Sequence, residues 1–182
     1  MRVPTDALNP QLYDRKGEWI VIVNRCVEQG IYVTLILSLE KGHRPLRSTE
    51  LSDILSVSDS YLKKILRKLV LGGVVASCPG KDGGFQLTRS LEDLSVFDIY
   101  AALEGEKCEL KLSGLGHRIF IDDEKFMRGE EVVVSAFERA NEAFCGQLRQ
   151  MRLSELVSRE KYLNGSIEFT GNAPAVHRGR EE

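Results

Sequence analysis

The chain has no apolar run approaching the roughly 18 residues that a membrane-spanning helix requires. Its longest candidates, around residues 19–23 and 31–39, are cut short by polar side chains. It has no CxxC pair. Cys26, Cys78, Cys108 and Cys145 are far apart, a pattern that suggests neither a disulfide framework nor a thiolate zinc site. The opening residues, Met1-Arg2-Val3-Pro4-Thr5-Asp6, lack the basic-then-apolar layout of a secretion signal. These absences together predict a protein of the reducing cytoplasm with no membrane partner. The GxxxxGK[ST] spacing of a phosphate-binding loop is missing too. Pro79-Gly80-Lys81-Asp82-Gly83-Gly84 looks similar at a glance but falls between two strand patterns, so it reads as a turn. No Cys–His or Ser–His–Asp grouping is evident, there are no internal repeats, and the chain reads as a non-enzyme.

What is present is ordinary in amount and uneven in distribution. A hydrophobic content of 42% and a charged content of 29% over 182 residues suit a soluble domain with a real core, with or without an appendage. The formal net charge is −2. Between Lys41 and Arg89, however, nine basic side chains face four acidic ones, a net +5 that leaves −7 for the remainder. A basic block inside an acidic protein is the pattern expected of phosphate attraction confined to one face.

Hydrophobic spacing predicts a mainly α chain with one small β-hairpin, an α+β class. After an arm over residues 1–22, a helix is expected at 25–41, ended by Gly42 and Pro45. A second follows at 48–55 with Ser48 as its N-cap, then a tight turn at Val57-Ser58-Asp59. The third, at 58–70, buries Leu62, Ile65, Leu66, Leu69 and Val70 on one stripe and stops at Gly72-Gly73. The period then changes to that of strands, 74–77 and 85–88, around a glycine-rich tip. A short helix at 96–103 follows the capping sequence Ser95-Val96-Phe97-Asp98. Residues 105–129 read as an effector or linker loop. A long helix is expected at 130–152, within a dimerisation region spanning 130–160. Its apolar stripe is Val133, Phe137, Ala140, Phe144, Leu148 and Met151. Residues 161–182 read as a tail without fixed structure.

Helix, short helix, turn, helix and hairpin is the order of a winged helix-turn-helix over residues 23–104. Burying the apolar stripe of the third helix turns Ser60, Tyr61, Lys63, Lys64, Arg67 and Lys68 to the other face. Four cations, hydroxyls and an aromatic on one face suit a helix lying in the DNA major groove. Ser58, Ser60 and Tyr61 at its N-terminal turn would meet base edges and phosphates, and Lys81 at the hairpin tip would reach neighbouring phosphates. The alternative is a winged helix that pairs with another protein and binds no specific DNA.

The run Glu50-Leu51-Ser52-Asp53, Val57 through Leu66, Leu69, Gly73-Val74-Val75, Gly80, Gly83 through Leu87, Leu94 through Ile99 and Glu104-Gly105 resembles the IscR/NsrR/CymR family of bacterial transcription regulators. The resemblance runs from about residue 23 to 156. It implies a homodimeric regulator, expected to repress from a palindromic operator in double-stranded DNA. The third helix would read that DNA, the Gly-Gly-aromatic hairpin would be the wing, and the long helix would cross its partner. A small molecule or a protein would serve as effector.

Three departures from the family pattern stand out. Pro79 occupies the place before the first wing glycine, where an arginine is frequent, so Lys81 is expected to supply that phosphate contact. The arm adds residues ahead of the first helix. Cluster-binding members carry three cysteines after the Glu-Gly pair, whereas this loop offers only Cys108 between Gly105 and Arg128. Several ligands must converge on an iron–sulfur cluster, so no cofactor and no metal is expected. Cys108 is left as a candidate redox or effector position.

Overall fold

The structure, a computed structural model, describes residues 24–80, 82–105, 113, 115–120, 124–158 and 167–169. Helix α1 (Arg25–Leu39) starts where the Asn24 side chain accepts from the Cys26 N–H at 3.4 Å, satisfying a donor that has no partner inside the helix. Its buried residues are not confined to one stripe: Val27, Val33, Ile36, Leu37 and Leu39 are all enclosed. The helix therefore runs through the middle of the core. Gly30 permits the close crossing of α1 and α4 (Val96–Glu104), because a Cβ there would lie 2.6 Å from Leu103 Cδ1 and 2.9 Å from Ile99 Cγ2. Helix α1 ends two residues earlier than its spacing predicts, and Lys41–His43 form a single 3-10 turn instead.

Helices α2 (Ser48–Leu55) and α3 (Asp59–Leu71) make the helix-turn-helix. Ser48 is not the N-cap. It is buried in the first turn, and Arg47 occupies the cap position with its N–H donating to Glu50 Oε2 at 2.8 Å. The turn is closed by Ser56 in the left-handed region, with its N–H bonded to Asp53 O and that of Val57 to Ser52 O. Leu62, Ile65, Leu66 and Leu69 of α3 are buried as expected, and Val70 is half-buried.

The wing pairs β1 (Val75–Cys78) with β2 (Gly84–Leu87) in antiparallel register, Val75 opposite Leu87 and Cys78 opposite Gly84. A further edge comes from the α1–α2 connection. Leu46 exchanges both backbone bonds with Phe85, at 2.8 and 3.0 Å. Gly84 makes room for this approach, since a Cβ there would sit 2.5 Å from Leu46 O. Helix α4 opens on a capping box: the Asp98 N–H donates to Ser95 Oγ at 3.3 Å and the Ser95 N–H to Asp98 Oδ2 at 2.8 Å.

The region after α4 departs most from expectation. Residues 105–129 are not all loop, because α5 (Leu115–Ile119) lies within them and α6 (Glu124–Gln150) begins six residues before 130. At 27 residues, α6 is about 40 Å long. Only its C-terminal half lies on the body of the protein. Phe144 meets Tyr100 edge to face at 5.5 Å, Arg149 stacks over Phe97 at 3.8 Å, and Cys145 is buried. The chain then returns to the core, Leu153 fully enclosed and its N–H bonded to Leu94 O. Residues 161–182 are likewise not wholly without structure. Ile167 forms a bridge to Glu40, and Phe169 is buried. Among the described residues, no helix is long and apolar enough to cross a membrane.

Candidate nucleic-acid interface

Helix α3 is held from below by its buried leucines, so the side chains between them face solvent. Ser60, Tyr61, Lys63, Lys64 and Arg67 are all exposed, as is the N-cap Ser58. Lys63 Nζ pairs with Asp59 Oδ2 at 2.7 Å, one turn earlier. That bond, followed by one from Ser48, holds the Asp59 carboxyl below its usual range. Among the described residues, no ion pair engages Lys64 or Arg67. Their charge is available to a ligand.

Lys68 is exposed too, but its charge is engaged. Its Nζ donates to Leu103 O at 2.5 Å, satisfying a carbonyl in the last turn of α4 that the helix itself leaves open. One turn on from Lys64 and only about 40° further round the helix, Lys68 lies on the same side of α3, and its long side chain reaches the end of the neighbouring helix. Unlike Lys64 and Arg67, Lys68 thus has a hydrogen-bond partner within the fold.

The basic block contains structural cations as well. Arg44 joins Glu40 and Glu50, at 3.0 and 2.9 Å, and Arg89 joins Asp98 at 2.9 Å. Burial alone would push the Glu50 carboxyl up, but the Arg47 N–H and the Arg44 guanidinium together hold it below its usual value. Periodicity could not reveal these pairings, which depend on where the loops turn. Lys81 and Cys108 lie outside the described residues.

The six positions expected to form the dimer stripe divide into two groups. Val133, Phe137, Ala140 and Met151 are exposed, whereas Phe144 and Leu148 are half-buried against the chain's own body. Those last two line an apolar cavity of about 490 Å³ with Val27, Ile31, Tyr32 and Tyr100. The sequence reading missed additional exposed apolar residues alongside the N-terminal half of α6. These are Leu115, Ile119 and Phe120 in and after α5, the last stacked on Phe126 at 4.4 Å. Scattered within a charged stretch, they show no period of their own.

The described cysteines do not fit an iron–sulfur cluster. Cys26 is on α1, Cys78 on the wing and Cys145 on α6. Among the described residues, no three potential metal ligands come together. The Cys26 thiol donates to Glu104 Oε1 at 2.8 Å, and burial first, then that bond, pushes it up to about 11. A protonated thiol on a carboxylate is a poor ligand, since metals bind the thiolate. With Cys108 alone in the loop after Gly105, the donor set is too small.

Comparison with known proteins is consistent across sequence and fold. Residues 23–159 match the family model Rrf2, described as an iron-dependent transcriptional regulator. YffB of Lactococcus lactis, which carries the name of an HTH-type transcriptional regulator, is 35% identical over 135 residues, 74% of this chain and 86% of that protein. The HTH-type transcriptional regulator IscR of Escherichia coli is 25% identical over 155 residues, 82% of this chain and 91% of that one. Among solved structures, CymR, the global cysteine regulator of Bacillus subtilis, aligns with a TM-score of 0.52 at 22% identity over 75% of this chain and 96% of its own. That last likeness bears on the fold.

Proposed function

Because this chain belongs to the Rrf2 family of transcriptional regulators and is a DNA-binding regulator of transcription, we propose that it works as a cytoplasmic homodimer that represses from a palindromic operator. The observation that carries the DNA reading is the exposed face of α3. There Lys64 and Arg67 are unpaired among the described residues, beside exposed Ser58, Ser60, Tyr61 and Lys63. We assign base edges to Ser58, Ser60, Tyr61 and Lys63, and phosphates to Lys64, Arg67 and Lys81. Exchanging Asp59 for a guanine edge leaves the Lys63 ammonium charged and bonded throughout. Two such helices related by a dyad would enter successive major grooves about 34–36 Å apart, which is why the operator should be an imperfect palindrome.

The dimer reading is supported by an imbalance in one protomer. The N-terminal half of α6 carries Val132, Val133 and Phe137 exposed, and the body offers an apolar cavity bounded by Phe144, Leu148 and Tyr100. The stripe of one copy covering the cavity of the other would remove both from water. The segment joining α4 to α6, with Cys108, is where we place the response to a small-molecule, thiol or protein signal. The chain performs no catalysis in this reading.

Titration with duplex DNA at several salt concentrations tests it. Binding must fall steeply as salt rises, because each neutralised phosphate releases counterions. Lys63→Ala should weaken a preferred duplex by about 1–3 kcal/mol and relax its sequence preference, while Lys81→Ala should weaken all duplexes alike and lower the salt slope by about one unit. If neither change alters DNA binding, another surface binds it. A chain that binds no duplex at low salt would refute the reading altogether.

A further inference from the structure

Residues 167–169 lie beyond the stretch that matches the family, which ends at 159, yet they are bonded into the core beside the helix-turn-helix. The Ile167 N–H donates to Leu39 O at 2.9 Å, and its carbonyl accepts from the Lys41 N–H at 2.7 Å. Leu39 O is among the last carbonyls of α1, which the helix cannot satisfy by itself. Two residues later Phe169 enters the core, 7% exposed, and its N–H donates to Glu40 Oε2 at 3.1 Å.

Glu40 is the most deeply buried carboxylate among the described residues, 1% exposed. Its other oxygen accepts from Arg44 Nε at 3.0 Å. Arg44 Nη1 continues to Glu50 Oε1 at 2.9 Å, and Glu50 Oε2 receives the Arg47 N–H that caps α2. An unbroken path of bonds thus connects the C-terminal segment to the first turn of the helix-turn-helix. Leu46, inside the same connection, is the residue bonded to Phe85 of the wing. A buried carboxylate deprived of one donor must find another or become hydrated, and the Arg44 pairing that leads to α2 is the next bond in line for that change.

We propose that residues 167–169 form a C-terminal latch, with Glu40 and Phe169 as positioning residues, that sets α2 and the wing edge in the arrangement specific DNA recognition requires. The latch acts through the α1–α2 junction, to which its hydrogen bonds run. This inference rests on the DNA-binding reading above.

The test compares the unaltered protein, a chain ended at residue 164, Phe169→Ala and the conservative Phe169→Leu. The probes are a duplex recovered from a random pool by selection with the unaltered protein and a random-sequence duplex of equal length. Truncation and Phe169→Ala should weaken the selected duplex roughly tenfold and the random one by less than about twofold, with Phe169→Leu restoring most of the loss. Amide exchange at Lys41 and Leu46 should quicken in the same two variants. A merely stabilising segment would lower the folded fraction and weaken both probes in parallel. That parallel loss, or an unchanged selected-duplex affinity once exchange shows the segment released, overturns the latch. An unaltered protein that selects no duplex refutes the DNA reading instead, so the control separates the two failures.

Discussion

Replacing Phe137 by aspartate isolates the dimer seam from the protomer's own packing. In one copy the residue is 54% exposed, on the half of α6 that leaves the body. Given about 200 Å² for an aromatic side chain, roughly 100 Å² per protomer awaits cover, worth about 2.5 kcal/mol at 25 cal/mol per Å² and about 5 kcal/mol for two copies. A carboxylate brought to the same seam adds a desolvation penalty. At about 1.4 kcal/mol per decade, the dimer dissociation constant should rise by at least three orders of magnitude. Sedimentation equilibrium over a concentration series measures this directly, and circular dichroism should show helicity retained. Phe144→Asp is the informative contrast. That ring packs on Tyr100 within the protomer, so this change should lower the unfolding midpoint as well. A Phe137→Asp protein that stays folded and dimerises with an unchanged constant would refute the seam and the reasoning from exposure behind it.

Further substitutions probe α3, the α4 cap and the buried thiol. Lys68→Ala should leave the salt slope of DNA binding unaltered and lower stability by about 1 kcal/mol through the lost bond to Leu103 O, whereas Arg67→Ala should reduce that slope by about one unit. Ser95→Ala removes the cap of α4 and should cost about 1 kcal/mol in urea unfolding, with Asp98→Ala adding less than its separate effect because both belong to one box. Cys26, raised from 9.0 to about 11, should resist iodoacetamide at pH 8 in the native protein and react on unfolding. Its folded form holds a proton that the unfolded form gives up first. The stability it contributes is therefore complete below pH 9 and lost as pH rises through 11, a decline that Cys26→Ala should flatten.

Helices whose burial follows a single stripe were legible without coordinates. Leu62, Ile65, Leu66 and Leu69 recur at helical spacing and are the residues buried under α3, and Ser95 with Asp98 announced the start of α4. Both signals are local, written within one or two turns of chain. The wing strands were placed within one residue because the glycines bounding them limit where a strand can run. The start of α6 was not legible. Glu124, Lys125 and Arg128 are charged, and five residues are too few to establish a hydrophobic period that would betray their helicity. Three residues of the last segment were missed for the opposite reason, since two apolar side chains among polar neighbours are too few to signal a docking strand.

The family resemblance, the order of elements and the cationic face of α3 were determined by the sequence alone, because each depends on residue types at short, regular separations. Tertiary structure decided which cations remain free. Lys64 and Lys68 are equally basic and one turn apart, yet only the second bonds the end of a neighbouring helix. It likewise divided the α6 stripe at the point where the helix leaves the body, exposing Phe137 and enclosing Phe144. And it joined Phe169 to Glu40, 129 residues apart, through a buried carboxylate whose need for a donor no local pattern records. Pairings at such separations arise only when the chain has folded far enough to exclude water from both partners.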